Sequence, residues 1–182
     1  MSEPAPLLKP LAPATTAARL WKGGRFVPDA WRTIADDAPF PIDGRAILSL
    51  AFWRAEQAAL LATGLPIGVI VQANETLEPG TDNLERLHLI ALQFPKFTDG
   101  RAYSTARRLR EEYGYTGELR ATGDVLLDQL PLMLRSGFDA FEIVNAPTIA
   151  ALERDAIPAV SRVYQRNVMR DTTGWQARRA VR

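Results

Sequence analysis

Four short apolar runs punctuate the middle of the chain: PIGVIVQ at 66–72, LHLIALQF at 87–94, GELRATG at 117–123 and FDAFEIV at 138–144. A stretch with helical character separates each run from the next. This alternation of strand-length and helix-length patterns implies βαβ units with right-handed crossovers and a parallel sheet. PIGVIVQ is rich in β-branched residues. LHLIALQF is apolar on both faces, which suits a strand covered on both sides.

The intervening segments supply the helices. TDNLERL reads as a brief helical turn. Residues 100–113 place Ala102, Ala106, Leu109 and Tyr113 on one face and stop at Gly114. DVLLDQLPLMLRSG is helical up to Gly137, but Pro131 removes one hydrogen bond. It predicts a kink, or two short helices meeting near Gln129, with the Leu127 carbonyl losing its usual donor. NAPTIAALERDAIPAVSRVYQ closes the pattern with one or two helices, Pro147 following an N-cap at Asn145. Upstream, ILSLAFWRAEQAALLATG carries a stripe of Leu50, Trp53, Ala58 and Leu61, an N-cap candidate in Ser49 and a stop at Gly64. The runs RFV and WRTI around Pro28-Asp29 predict a small β-hairpin.

The expected architecture is therefore α/β: one domain with a mostly parallel sheet of about four strands flanked by helices, as an open sheet or partial barrel, with a small N-terminal β-hairpin. Residues 1–20, rich in Pro and Ala, read as a flexible lead-in, 21–165 as the α/β domain and 166–182 as a basic C-terminal tail.

Composition narrows the function classes. The chain of 182 residues is long enough for one domain with a real core. Its formal net charge of +1 gives no overall field toward nucleic acid or a membrane surface. There is no cysteine. That excludes disulfides, thiolate metal sites and cysteine-ligated iron–sulfur clusters within this chain, and it fits a reducing cytoplasm. No apolar run approaches the roughly 20 residues that span a bilayer. Neither a dinucleotide fingerprint, a phosphate loop nor a G-x-S-x-G elbow occurs. The single histidine, His88, lies inside an apolar run and reads as a packed strand residue. No cofactor and no catalytic residue is identified by motif.

Two strand-to-helix junctions stand out. FPKFTDGRAYS places Lys96, Asp99 and Arg101 between a strand and a helix, and RATGDVLLDQ places Thr122, Gly123, Asp124, Asp128 and Gln129 after a strand that contains Arg120. Ligands of parallel sheets bind beyond the carboxyl ends of the strands, where helix N-termini offer free N–H groups. Lys96, Arg101, Arg120, Thr122 and Gly123 thus form a candidate site for a small oxyanion, supported by Asp99, Asp124, Asp128 and Gln129. Helix capping by Asp99 and Asp124 is the plainer account of those two. Arg107, Arg108 and Arg110 lie off the apolar stripe and read as a solvated face. A charge inside a strand needs a partner, so Arg120 calls for Glu118, Asp99 or Asp124 nearby.

The stretch FPKFTDGRAYSTARRLREEYGYTGELRATGDVLLDQLPLMLRSGFDAFEI, residues 94–143, closely resembles the signature of a bacterial family, domain-of-unknown-function family 934, with a weaker match from about residue 47. The resemblance implies a role in assimilatory sulfite or sulfate reduction, toward cysteine synthesis, with sulfite reductase or other enzymes of sulfate assimilation as partners. Members carry an oxidoreductase label. Sulfite reduction takes six electrons and normally a haem-type centre with an iron–sulfur cluster, which a chain without cysteine does not ligate in the usual way. The expectation is an accessory protein that binds an oxyanion or docks on sulfite reductase. The alternatives are an oxidoreductase binding NADPH or flavin, and a non-redox enzyme acting on a phosphorylated or sulfated small molecule.

Overall fold

The computed structural model describes residues 18–37 and 44–157. The expected lead-in, the basic tail and any second closing helix lie largely or wholly outside these residues. The described chain begins with β1 (Arg19–Lys22) and β2 (Arg25–Val27), then β3 (Trp31–Thr33) and β4 (Arg45–Ser49). Helix α1 (Leu50–Ala62) follows, then β5 (Ile67–Val71), α2 (Pro79–Asp82), β6 (Leu89–Phe94), α3 (Arg101–Glu111) and β7 (Glu118–Gly123). Helix α4 (Leu130–Ser136), β8 (Ala140–Ile143) and α5 (Ala146–Glu153) complete it.

Eight strands form one mixed sheet in the order β2-β1-β8-β7-β6-β5-β4-β3. The α/β class and the parallel βαβ core are as the alternation implies, but the sheet has twice the expected number of strands. Strands β3 to β8 are parallel neighbours in chain order. The β1–β2 pair adds two antiparallel strands beyond β8. Of the additional strands, β2 and β3 are the runs RFV and WRT expected in the hairpin, whereas β1 and β4 are short and were not expected. RAILS merged with the helix that follows it; Ser49 ends β4 and also caps α1, its Oγ accepting the Phe52 N–H at 3.0 Å.

The N-terminal hairpin exists, but in another place. RFV and WRT do not pair; they occupy opposite edges of the sheet. The hairpin joins β1 and β2 through Gly23-Gly24, whose φ angles of 59° and 82° suit the primed turn of a two-residue loop. Only Pro28–Ala30 then links one edge strand to the other. From Val27 to Trp31 the chain reaches at most about 14 Å. An eight-stranded sheet whose edges are tied this closely is curled, nearly closing on itself.

Consecutive parallel strands with right-handed crossovers put all the helices on one face. Outward residues of the strands, among them Leu48, Val69, Leu92, Phe94, Ala121 and Phe141, pack with Trp53, Leu109, Leu130 and Met133 from the helices in a single core. The inner face carries a much smaller cluster of Ile47, Leu89 and Ala91 with Trp31 and Ile70. Pro131 falls in the first turn of α4, and a 3₁₀ turn at Leu127–Gln129 precedes it, so the segment is two short helical pieces meeting at Gln129. The Leu127 carbonyl keeps a donor, the Leu130 N–H, because the 3₁₀ pattern supplies one from three residues ahead. His88 is exposed, one residue before β6, not packed within it. No helix among the described residues is long and apolar enough to cross a membrane.

Candidate functional site

Strand register sorts the inner face into rows. Ile70, Ala91, Arg120, Ala140 and Lys22 are successive partners across β5, β6, β7, β8 and β1. Gln93 pairs with Thr122 one step nearer the carboxyl ends, and Glu142, opposite Leu20, lies in the same row. Side chains two residues apart on a strand share a face. Arg120, Thr122 and Glu142 therefore all project inward. Ala91 and Ala140 on either side of Arg120 leave the width that its guanidinium fills.

Arg120 is 1% exposed and fully committed. Its Nη1 donates to Asp29 Oδ2 at 2.6 Å and its Nη2 to Asp29 Oδ1 at 3.1 Å. Nε and Nη2 donate to Glu118 Oε1 at 3.0 and 2.8 Å. Burial works against the guanidinium charge, and the two carboxylates more than reverse that, so its pKa rises. Glu118 is a partner the sequence offered. Asp29 is not: it comes from the edge-to-edge link, 91 residues away. Glu118 also accepts from Lys22 Nζ at 2.7 Å.

Above this layer the strand ends enclose a cup of about 440 Å³, lined by Thr33, Ile70, Gln93, Thr122, Gly123, Asp124, Glu142 and Val144. A cavity at the carboxyl ends of parallel strands is where such sheets bind ligands. Its polar groups are largely uncommitted. The Thr122 hydroxyl is buried without a hydrogen-bond partner. Burial pushes the Glu142 carboxyl above its ordinary pKa; Arg120 offsets part of this and Asp29 adds to it. Gly123 sits at the rim with φ of 88°, and a Cβ there would lie 2.3 Å from the Phe94 carbonyl oxygen. That close approach lets the Asp124 N–H reach the same carbonyl at 2.8 Å.

The residues expected to hold an oxyanion are divided between two places. Thr122, Gly123 and Asp124 line the cup; Arg120 lies beneath it. Lys96, Asp99 and Arg101 line a separate shallow cavity with Pro95, Thr98 and Gly100. There the Arg101 Nη2 reaches Asp99 Oδ2 at 2.6 Å and holds the Asp99 carboxyl down at about 2. Asp99 does not cap α3 as an N-cap; Gly100 holds that position, and Asp99 Oδ1 accepts the Arg101 N–H at 3.1 Å. Asp124 caps no helix either. Its Oδ2 takes the Phe97 N–H at 2.9 Å, and Gln129 Nε2 donates to the Phe97 carbonyl at 2.6 Å. The second junction thus holds the loop of the first. Asp128 is exposed and adds, after burial, to the raised pKa of Tyr103.

Arg110 departs from the expected solvated face. It is clamped at the amino ends of the strands, donating to the carbonyls of Gly137, Tyr115 and Gly117 and to Asp139. Arg107 and Arg108 do lie outward, each paired with a glutamate four residues on. Sequence reasoning missed Asp29 and Glu142. For Glu142 the signal was present: like Arg120, it is a charge inside a short apolar strand.

The curled sheet, with its helices on one face and a cavity at the carboxyl ends of its strands, is of the α/β class. The chain belongs to the family described as bacterial protein of unknown function (DUF934), whose model matches residues 68–175. The match runs from within β5 through α5 and takes in Gln93, Thr122, Asp124 and Glu142. None of the curated proteins matches the chain.

Proposed function

We propose that this protein is a cytoplasmic accessory of assimilatory sulfite or sulfate reduction, distinct from the reductase, and that it works by binding a small molecule in the carboxyl-end cup. The pathway comes from the family resemblance. The cup is the observation that carries the molecular part: about 440 Å³ at the strand ends, with Thr122, Gln93 and Glu142 making no side-chain hydrogen bond among the described residues. The absence of cysteine separates the chain from cluster-based electron transfer. A deletion strain should grow poorly on sulfate and normally on cysteine. The wild-type gene should restore growth on sulfate, and a Gln93→Leu gene should restore it less. Normal growth of the deletion strain on sulfate would overturn the pathway, and full rescue by Gln93→Leu would overturn the cup.

A second reading places an oxyanion at the Lys96–Arg101 cavity. It is favoured by Lys96, whose ammonium has no carboxylate partner among the described residues. Sulfite or sulfate should then raise the unfolding midpoint of the wild type and not of Lys96→Ala. Equal responses would remove this reading.

A further inference from the structure

Arg25 and Arg45 lie on the inner face by register but are exposed and pair with no carboxylate among the described residues. Around Arg120 the charges do not balance: Lys22 and Arg120 supply two cations, while Asp29, Glu118 and Glu142 supply three carboxylates. Both cations are spent on Glu118 and Asp29, in contacts of 2.6–3.1 Å. Glu142 is left without an ion pair or side-chain hydrogen bond among the described residues, although it lines the cup. Asp124 brings a second carboxylate to the lining of the same cavity, and its one side-chain hydrogen bond accepts the Phe97 N–H. No cationic side chain among the described residues lines the cavity. A free anion entering it would meet two carboxylates, and the nearby cation, Arg120 beneath the cup, is already held by Asp29 and Glu118.

We propose that the cup binds a small organic cation, a primary ammonium with an adjacent hydroxyl or similar polar group, and that Glu142 is its counter-ion. This rests on the reading of the cup as the working site and names the class of molecule it takes. Three observations beyond the surplus charge point the same way. Thr122 is 6% exposed, lines the cup and carries a hydroxyl with no partner, so a polar ligand group satisfies an otherwise orphaned oxygen. Gln93 lies beside it in register and offers both an amide donor and an acceptor. Ile70 and Val144 give the cavity an apolar portion for a carbon skeleton.

A bare metal ion fits less well. Two carboxylates fall short of the six or more oxygens that calcium takes, and no group of three metal-ligating side chains occurs among the described residues. The volume is that of a small-molecule site. Burial of Glu142 also gives it a raised affinity for protons, so proton and ammonium compete for the same carboxylate.

The test is an amide-resolved NMR titration of the full chain with three probes of similar size: ethanolamine at a pH where it is protonated, ethylene glycol and sulfate. Ethanolamine should move the amide signals of Gln93, Thr122, Gly123 and Val144. Glu142→Gln should weaken its binding by about tenfold or more, the loss expected for one charge-assisted hydrogen bond. Glu142→Asp, which keeps the charge, should retain part of the affinity and guards against a folding defect in the first variant. Ethylene glycol and sulfate should leave these signals in place at the same concentration. Unchanged ethanolamine affinity in Glu142→Gln would overturn the proposal, as would equal binding of ethylene glycol or sulfate at these residues, and in all three cases the cup would still stand as a site. If none of the probes moves these signals, the cup itself fails as the working site.

Discussion

The two faces of the curled sheet are made from the same strands and obey different rules. Outward residues meet helices, and nearly all are apolar and fully buried: Leu92, Phe94, Leu119, Ala121 and Phe141 are each 0–2% exposed. Inward residues on those strands include Gln93, Glu118, Arg120, Thr122 and Glu142. One face removes apolar surface from water, which drives folding. The other keeps charges and hydroxyls in a partly enclosed space, where each must find a partner or remain available to a ligand. In β7 the alternation is plain: Leu119 and Ala121 point to the helices, Arg120 and Thr122 to the interior. Within β6, β7 and β8 the polar side chains Gln93, Glu118, Arg120, Thr122 and Glu142 all lie on the inner side of the sheet.

The largest effect should follow from removing the cation that organises the inner face. Arg120→Met keeps most of the side-chain volume but leaves Asp29 and Glu118 facing each other without the guanidinium. Breaking one partner of a buried ion pair costs about 3–5 kcal/mol, and urea denaturation should register a loss of that size. Asp29 also ties the edge-to-edge link to β7, so amides near Pro28–Ala30 should exchange faster in the variant. A loss below about 1 kcal/mol, the size of a surface pair, would mean that the inner network is no more important than the outer ion pairs.

A smaller effect should come from Glu142. Its folded pKa lies above the ordinary 4.5 because burial outweighs the attraction of Arg120, with Asp29 adding repulsion. A carboxyl that holds its proton more tightly when folded makes the folded chain bind more protons than the unfolded chain between 4.5 and the raised value. Stability attributable to Glu142 therefore falls as pH rises through that window, and is flat below and above it. Asp139 slopes in the same direction, since its pKa is also raised. The difference between wild type and Glu142→Gln isolates the glutamate. Unfolding midpoints measured from pH 4 upward should converge at the acid end, with the wild type losing ground as pH increases. A wild type that instead gains on the variant with rising pH would place an unrecognised cation beside Glu142.

The outer face was legible in the sequence because its code is local. Apolar residues at Ala102, Ala106 and Leu109, and caps at Ser49 and Asn145, lie within a few residues of what they specify. The parallel core followed from the alternation alone. The inner face depends on contacts that sequence proximity does not announce. Nothing in Pro28-Asp29 says that it spans the sheet, so RFV and WRT read as a hairpin. Arg110 looked like one of three outward arginines, yet it reaches carbonyls at 115, 117 and 137 because α3 passes over the amino ends of β7 and β8. At the candidate site the strand-end residues Thr122, Gly123 and Asp124 were visible as a junction. Their separation from Lys96 and Arg101 was not, because it depends on which way a loop turns after Phe94.

The smallest effect should come from Arg101, and it tests whether enclosure is what separates the two arginine sites. Arg101 and Arg120 each hold a carboxylate at 2.6 Å. Arg101 is 60% exposed and Arg120 1%. In water the attraction of such a pair is screened, and freezing two side chains in one geometry offsets much of it. Arg101→Ala should leave the unfolding midpoint unchanged within error, while the Asp99 carboxyl, followed by NMR titration, moves up from about 2 toward its ordinary 3.8. The two readouts together are decisive. A moved carboxyl with a fixed midpoint shows a real pair that contributes nothing measurable to folding. A midpoint that drops as far as in Arg120→Met would show that the α3 junction is built as tightly as the interior, and the contrast between the enclosed and open sites would no longer rest on solvent.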